Sequence, residues 1–260
     1  MKRMFNVVVI TLALIIAYSV YFFYFGNPNN FEDPATKKKP KKGSVVGAIY
    51  TGGPIVGILM SLIIISITFV FERTFSINKA KGRGNLSVFV KNVLDRLAKG
   101  EFDDALKECD KQRGSLANIL RAGIERFVQV ENDANFPVEK KLTEVQRAID
   151  EATNLETPLL EKNLVILSTI ASVSVLFGLL GTTIGMIRAF AAFGETGTVD
   201  ATQLAIGISE ALYNTAGGLA AAIISIIFFN YFTTKVDNYL YMIDEAILNV
   251  TQIFTLRLKQ

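Results

Sequence analysis

The sequence predicts an all-α integral membrane protein whose long transmembrane helices extend into a cytoplasmic helical stalk. Three observations predict it. Half of the 260 residues are hydrophobic, 50% by count, and four apolar runs hold most of that excess: Phe5–Phe25, Pro54–Phe71, Leu164–Phe193 and Leu204–Phe232. A hydrocarbon core about 30 Å thick needs about 20 helical residues, and the last two runs exceed that. No stretch alternates apolar and polar residues with a period of two, so no strand pattern competes.

Taken in order, residues 1–26 read as an extra N-terminal anchor helix. The run follows Lys2 and Arg3, ends in Tyr21-Phe22-Phe23-Tyr24-Phe25 and carries no small-x-small cleavage site, so it is expected to stay uncleaved. Residues 27–53 read as a Lys-rich linker, through Lys37-Lys38-Lys39-Pro40-Lys41-Lys42. Residues 54–72 form the next span, with Glu72-Arg73 marking its boundary, and 73–163 form one polar helical domain. Inside that domain Phe89, Val93 and Leu97, then Leu116, Ile119, Leu120, Ile124 and Phe127, recur at helical spacing, with Gly100 and Gly114 as helix stops. The pattern predicts a compact α-hairpin. Asn135-Phe136-Pro137 opens another helix, with Leu142, Val145, Ile149 and Ala152 as its apolar stripe. Pro158 suits the first turn of a helix that continues into the third span, 164–193. A loop, 194–203, leads to the fourth span, 204–232, and a C-terminal helix, 233–260.

Charge orients these elements. The loop Glu195-Thr196-Gly197-Thr198-Val199-Asp200 has two acids and no Lys or Arg, whereas Arg73, Lys79, Lys81 and Arg83 crowd the inner end of the second span. The polar domain and the tail with Lys235, Arg257 and Lys259 are therefore expected in the cytoplasm, and the loop 194–203 outside. The lysine run then lies outside, against the positive-inside tendency. It reads either as a solvated segment or as a contact for anionic lipid or a partner's tail.

Composition also excludes functions. There is no histidine, and the single Cys109 has no pairing partner, so neither a metal site, a cofactor site nor a disulfide is supported. A net charge of +3 offers no basic field of the kind nucleic acid requires. No nucleophile–base pair lies in the spans, which argues against an enzyme, and inverted repeats with broken helices, the mark of a self-contained transporter, are not seen.

What remains is a pair of small-residue files. On the third span Ala171, Ser174, Gly178, Thr182 and Gly185 share a face; on the fourth, Gly207, Glu210, Asn214, Gly217, Ala221 and Ser225 share another, with Ala211, Thr215, Gly218 and Ala222 one step around. For Gly178, Gly185, Gly217 and Gly218 the first reading is tight helix packing. Glu210 reads differently. A carboxylate at membrane depth is costly, and with the amide of Asn214 and the hydroxyls of Thr182 and Thr215 it could pass protons or cations. Either threonine could also bond to its own helix carbonyl and need no other partner. Arg188, near the outer end of the third span, reads as an interface anchor whose long stem snorkels outward.

The segments Leu176-Phe177-Gly178-Leu179-Leu180-Gly181-Thr182-Thr183-Ile184-Gly185-Met186-Ile187-Arg188-Ala189-Phe190 and Gly207-Ile208-Ser209-Glu210-Ala211-Leu212-Tyr213-Asn214-Thr215-Ala216-Gly217-Gly218-Leu219-Ala220-Ala221-Ala222-Ile223 closely resemble the MotA/TolQ/ExbB proton-channel family, nearest to its ExbB branch. The resemblance spans roughly 54–232 and is specific in the last two spans. It implies a homopentamer in the bacterial inner membrane, with the 194–203 loop periplasmic. The pentamer would enclose two single-span ExbD-like helices that each bring an aspartate, and work would pass through a TonB-like protein to outer-membrane transporters. In that family two pore-facing threonines match Thr182 and Thr215, and the intramembrane glutamate matches Glu210. The departure is at the front, where the family's ExbB pattern has three spans and this chain adds a helix and a lysine-rich loop. Two spans, a domain and two spans is also the order of a MotA-type stator, so motility or envelope maintenance stays open as the recipient of the work, as does a passive membrane scaffold.

Overall fold

In a computed structural model the chain is described over residues 2–37, 39–133, 136–196 and 201–259. Lys38 of the lysine run, Asn135 of the expected helix start and Gly197–Asp200 of the expected loop lie outside the described residues. Most of the described residues are helical, with one isolated antiparallel pairing of Phe31 with Pro40. The helices are α1 (Lys2–Ser19), which widens into a π-helical turn at Val20–Phe25, α2 (Val45–Tyr50), α3 (Pro54–Lys81), α4 (Leu86–Lys99), α5 (Phe102–Gln112), α6 (Ser115–Glu131), α7 (Val138–Glu161), α8 (Leu164–Thr196) and α9 (Ala201–Leu258). The chain divides into two compact units, one of residues 1–71 and 163–230, the other of 72–162 and 231–260.

The first unit is the membrane part. Among the described residues four helices, α1 with its π turn, α3, α8 and α9, are long and apolar enough to cross a bilayer. Their bulky residues, among them Leu176, Leu179, Ile187, Phe190, Ile223 and Ile227, stay exposed, as a lipid-facing surface requires, because a helix satisfies its own backbone and can show hydrocarbon all around. The start of α1 meets the start of α8 through Asn6, whose Nδ2 donates to Asn163 Oδ1 at 3.4 Å. Its end meets the start of α3, where the Tyr18 hydroxyl donates to Pro54 O at 3.2 Å and that of Tyr21 to Tyr50 O at 3.1 Å. α1 therefore runs parallel to α8 and antiparallel to α3. Between α3 and α9 the buried hydroxyls of Ser66 and Ser225 pair at 2.6 Å.

The stretch 27–53, expected as a linker, carries its own structure. Glu32 N donates to Lys39 O at 2.9 Å and Lys41 N to Asn30 O at 3.0 Å, folding the segment into a hairpin, and α2 follows with Ser44 as its N-cap. Phe31 is fully buried edge-on against Tyr50, whose ring stacks on Tyr21 at 4.7 Å. The lysine excess is partly compensated, since Lys39 pairs with Glu32 at 2.8 Å and its ammonium holds the Glu32 carboxyl below the usual carboxylate range.

The second unit is a helical domain with an ordinary apolar core. Phe89, Val93 and Leu97 of α4, Leu116, Ile119, Leu120, Ile124 and Phe127 of α6, Val145 and Ile149 of α7 and Val250 and Phe254 of α9 are all buried. Phe127 stacks on Phe254 with centroids 4.1 Å apart, and Arg257 bonds Glu131 at 2.6 Å. Gly100 caps α4 in the left-handed region, φ 77°, as its spacing predicts. The expected α-hairpin is a three-helix run, because α5 intervenes: it is short and charged, burying only Ala105, Cys109 and Gln112, so it shows little apolar periodicity. One further expectation is corrected. Pro158 lies inside α7, and the helix break falls five residues later at Asn163, whose φ of 63° an asparagine tolerates. Glu72-Arg73 stands where the first unit gives way to the second, and Arg73 is 1% exposed, with Nε and Nη2 on the Glu72 carboxylate at 2.7 and 2.8 Å and Nη1 donating to Leu160 O at 3.3 Å.

Two predictions follow from packing and burial. A methyl at Gly218 would stand 2.6 Å from Ser174 O and 2.8 Å from Gly178 Cα, both backbone atoms. Gly218→Ala should therefore cost about 1–3 kcal/mol, read as a lowered denaturation midpoint in detergent. Burial pushes the Cys109 thiol up from 9.0 to about 12. Folding favours the protonated thiol, so this contribution is complete below pH 9 and is lost as pH rises through about 12. Native protein at pH 8 should react with a maleimide far more slowly than unfolded protein, and Cys109→Ser should flatten the alkaline limb of stability.

Candidate functional site

α8 and α9 approach closely along their small residues. A Cβ at Gly178 would lie 3.3 Å from Gly218 Cα, and one at Gly185 would lie 2.9 Å from both Ala211 N and Gly207 O. Those contacts bring the two backbones together in an antiparallel register. Gly217 faces elsewhere, with Leu59 of α3 its nearest neighbour at 3.3 Å.

The register sets Thr182 against Thr215. Their hydroxyls hydrogen-bond to each other, and Thr182 Oγ1 also stands 3.1 Å from Gly178 O in its own helix. A hydroxyl has one proton, so if Thr182 donates to Gly178 O it accepts from Thr215. Both side chains are half-buried. Asn214, beside Thr215, is fully buried: its Nδ2 donates to Gly52 O at 2.8 Å, while its Oδ1 has no hydrogen-bond partner among the described residues. Gly181 makes room for that amide, since a Cβ there would run into Asn214 Cβ.

Glu210 lies one helical turn from Asn214 and is 7% exposed. Its Oε1 accepts from Arg188 Nη1, so the arginine expected to anchor at the interface is the carboxylate's partner. The pair is lopsided: the Arg188 side chain is 55% exposed, that of Glu210 only 9%. The chain passes directly over the carboxylate at Gly53. A Cβ on Gly53 would stand 2.8 Å from Glu210 Oε1, and its φ of 77° already favours glycine.

The four polar residues picked out in the sequence are thus gathered at one end of the hairpin, but in two places. Thr182 and Thr215 lie between α8 and α9, whereas Glu210 and Asn214 meet the 51–53 turn. What residue patterns missed is Arg188, together with the turn. A signal for Arg188 existed: with Thr182 set opposite Thr215, six residues onward in α8 and five back in α9 bring Arg188 to Glu210. The turn has no comparable signal, because Gly52 and Gly53 read as a simple helix separator.

An all-helical membrane chain with a carboxylate, an amide and a hydroxyl pair in a tight helical hairpin has the parts of an ion-conducting subunit. The chain belongs to the MotA/TolQ/ExbB proton channel family, which matches residues 111–245. Among its relatives, putative biopolymer transport protein ExbB-like 3 of Synechocystis is 42% identical over 92 residues, 35% of this chain and 44% of that protein. The Tol-Pal system protein TolQ of Haemophilus influenzae is 30% identical over 187 residues, 70% of this chain and 79% of TolQ. The biopolymer transport protein ExbB of Aquifex aeolicus is 36% identical over 117 residues, 45% of this chain and 71% of that protein. The chain therefore spans less than half of the first relative and more than two thirds of the other two.

The ion pair can be tested by a double-mutant cycle. Arg188→Gln and Glu210→Gln should each destabilise the chain in detergent, and the double variant should lose about 1–2 kcal/mol less than their sum. Additive losses would mean that the two side chains do not interact.

Proposed function

We propose that this chain is the proton-channel, or stator, subunit of an inner-membrane motor that couples proton motive force to mechanical work. The observation that carries the reading is the sequence of polar groups along α9: the buried Glu210, the open Oδ1 of Asn214 one turn on, and the hydroxyl pair of Thr215 with Thr182. A buried acceptor with no partner is a place for water, and a carboxylate, water and hydroxyls in succession can hand protons along. One such file per subunit lacks a second acid. Five copies, the number the resemblance implies, would enclose single-span ExbD-like helices that each supply one.

In this reading the domain at 73–163 and the C-terminal helix lie in the cytoplasm and the loop 194–203 in the periplasm, supported by the charge asymmetry around the spans. The work goes to a TonB-like partner and on to outer-membrane transport, supported by the ExbB names among the relatives. A TolQ-like stator, with TolR-like and TolA-like partners, is the second reading, favoured by the relative of which the chain covers 79%. The close contacts of Gly178, Gly185 and Gly218 within one chain are what a passive scaffold would need too, so conduction has to be measured directly.

The test is proton uptake into liposomes that hold the chain with its single-span partner. Glu210→Gln, Thr182→Val and Thr215→Val should each lower uptake about tenfold, the equivalent of one hydrogen bond of about 1.4 kcal/mol. Native mass spectrometry should show a pentamer in every case. Unchanged uptake in all three variants rules the channel reading out, and a stable monomer rules out the oligomeric pore.

A further inference from the structure

The lysine-bearing segment 27–53 enters the proposed proton file only through the backbone of its Gly52-Gly53 turn, and its lysines are folded against the end of the hairpin that holds Glu210. Lys37, Tyr50 and Thr51 from this segment, with Arg188 and Glu210, are among the residues that line a cavity of about 310 Å³. Its charges are two cations and one carboxylate. The Lys37 ammonium lies 5.9 Å above the Tyr50 ring and makes no ion pair among the described residues, while Lys39 is held by Glu32. Glu210 engages one nitrogen of Arg188, so the half-exposed guanidinium keeps further donors for another partner.

Two of the neighbouring hydroxyls are already committed as donors. Thr51 donates to Ala48 O at 2.6 Å and Tyr21 to Tyr50 O at 3.1 Å. The cavity's charged donors are an ammonium and a guanidinium, a set that suits an anion with several oxygens. Its level along the helices agrees. The neighbouring end of α1 exposes Phe22, Phe23 and Tyr24, the aromatic residues that settle at the headgroup level of a bilayer.

We infer that this cavity binds a phosphate group at the membrane surface, held by Lys37 Nζ and the Arg188 guanidinium, and that the bound phosphate competes with Glu210 for Arg188. The first half stands on the cavity alone; the regulatory half rests on the role proposed above for Glu210. An occupied cavity loosens the guanidinium's hold on Glu210, and an empty one leaves the ion pair closed. The phosphate can come from an anionic lipid headgroup or from free solution.

The test is native mass spectrometry of the 260-residue chain in detergent, with phosphatidylglycerol, phosphatidylcholine or sn-glycerol 1-phosphate added. The wild-type chain should retain phosphatidylglycerol over phosphatidylcholine. Lys37→Gln, on a surface turn, should weaken that retention about fivefold, as loss of one cation near a membrane surface does, and Arg188→Gln at least as much. Glu210→Gln should strengthen it, because the competitor for Arg188 is gone; a merely structural role for Glu210 would not. Glycerol phosphate that binds with the same pattern of variants points to the free anion as the source, and glycerol phosphate without effect points to lipid. Equal phosphatidylglycerol retention by wild type, Lys37→Gln and Arg188→Gln overturns the site, and no change in Glu210→Gln overturns the competition. If proton uptake survives Glu210→Gln, Thr182→Val and Thr215→Val alike while the binding pattern holds, the channel reading fails and the phosphate site stands.

Discussion

In the membrane unit, much of the site depends on how closely α8 and α9 can approach. Hydrocarbon gives helices no hydrophobic reason to associate, so contact comes from dispersion and from polar pairs, and both require near backbones. The absence of a Cβ at Gly178, Gly185 and Gly218 permits that approach, with would-be methyl groups falling within 2.6–3.3 Å of the opposite helix. Once the helices touch there, their register is set. The hydroxyls of Thr182 and Thr215 come within bonding distance and Arg188 reaches Glu210. A bulkier residue at any of these glycines would disturb several polar contacts at once, because they share one interface.

The same environment explains why polar groups come in pairs. A group buried in apolar surroundings without a partner costs free energy that a small hairpin cannot easily recover. Ser66 meets Ser225, Thr182 meets Thr215, Asn214 meets a backbone carbonyl and Glu210 meets Arg188. Against that pattern the buried Asn6 Oδ1, Ser174 Oγ and Asn214 Oδ1, with no hydrogen-bond partner among the described residues, are exceptions. Asn214 is the most telling of them because it lies one turn from the carboxylate. The Arg188 pairing also refines the picture of Glu210 as a lone acid, since within this chain the carboxylate begins with a cation beside it.

In the second unit the physics is that of a water-soluble core, and the sequence was correspondingly easier to read. Phe89, Val93, Leu97 and the α6 stripe appear at helical spacing because one face of each helix meets water and the other does not. α5 escaped because eleven residues with three buried ones leave too few apolar positions to reveal a period. Pro158 misled for a different reason. Proline marks a first turn as a statistical preference, but a long helix held by Val145, Ile149 and Leu160 in the core can carry it past that point and end at an asparagine instead.

The sequence by itself determined the class of protein. Four apolar runs, the absence of histidine, the small-residue files and the carboxylate within them all follow from composition and period, because bilayer thickness and helix pitch act on each segment locally. Tertiary structure decided which groups meet. That Arg188 pairs with Glu210, that Gly53 covers the carboxylate, and that residues 27–53 fold into a hairpin and α2 beside it depend on contacts between residues far apart in the chain. No local period encodes them. The pairing of Arg188 with Glu210 comes from the depth at which two helices touch, and the covering turn is held by tyrosines of a helix that the sequence alone read only as an anchor.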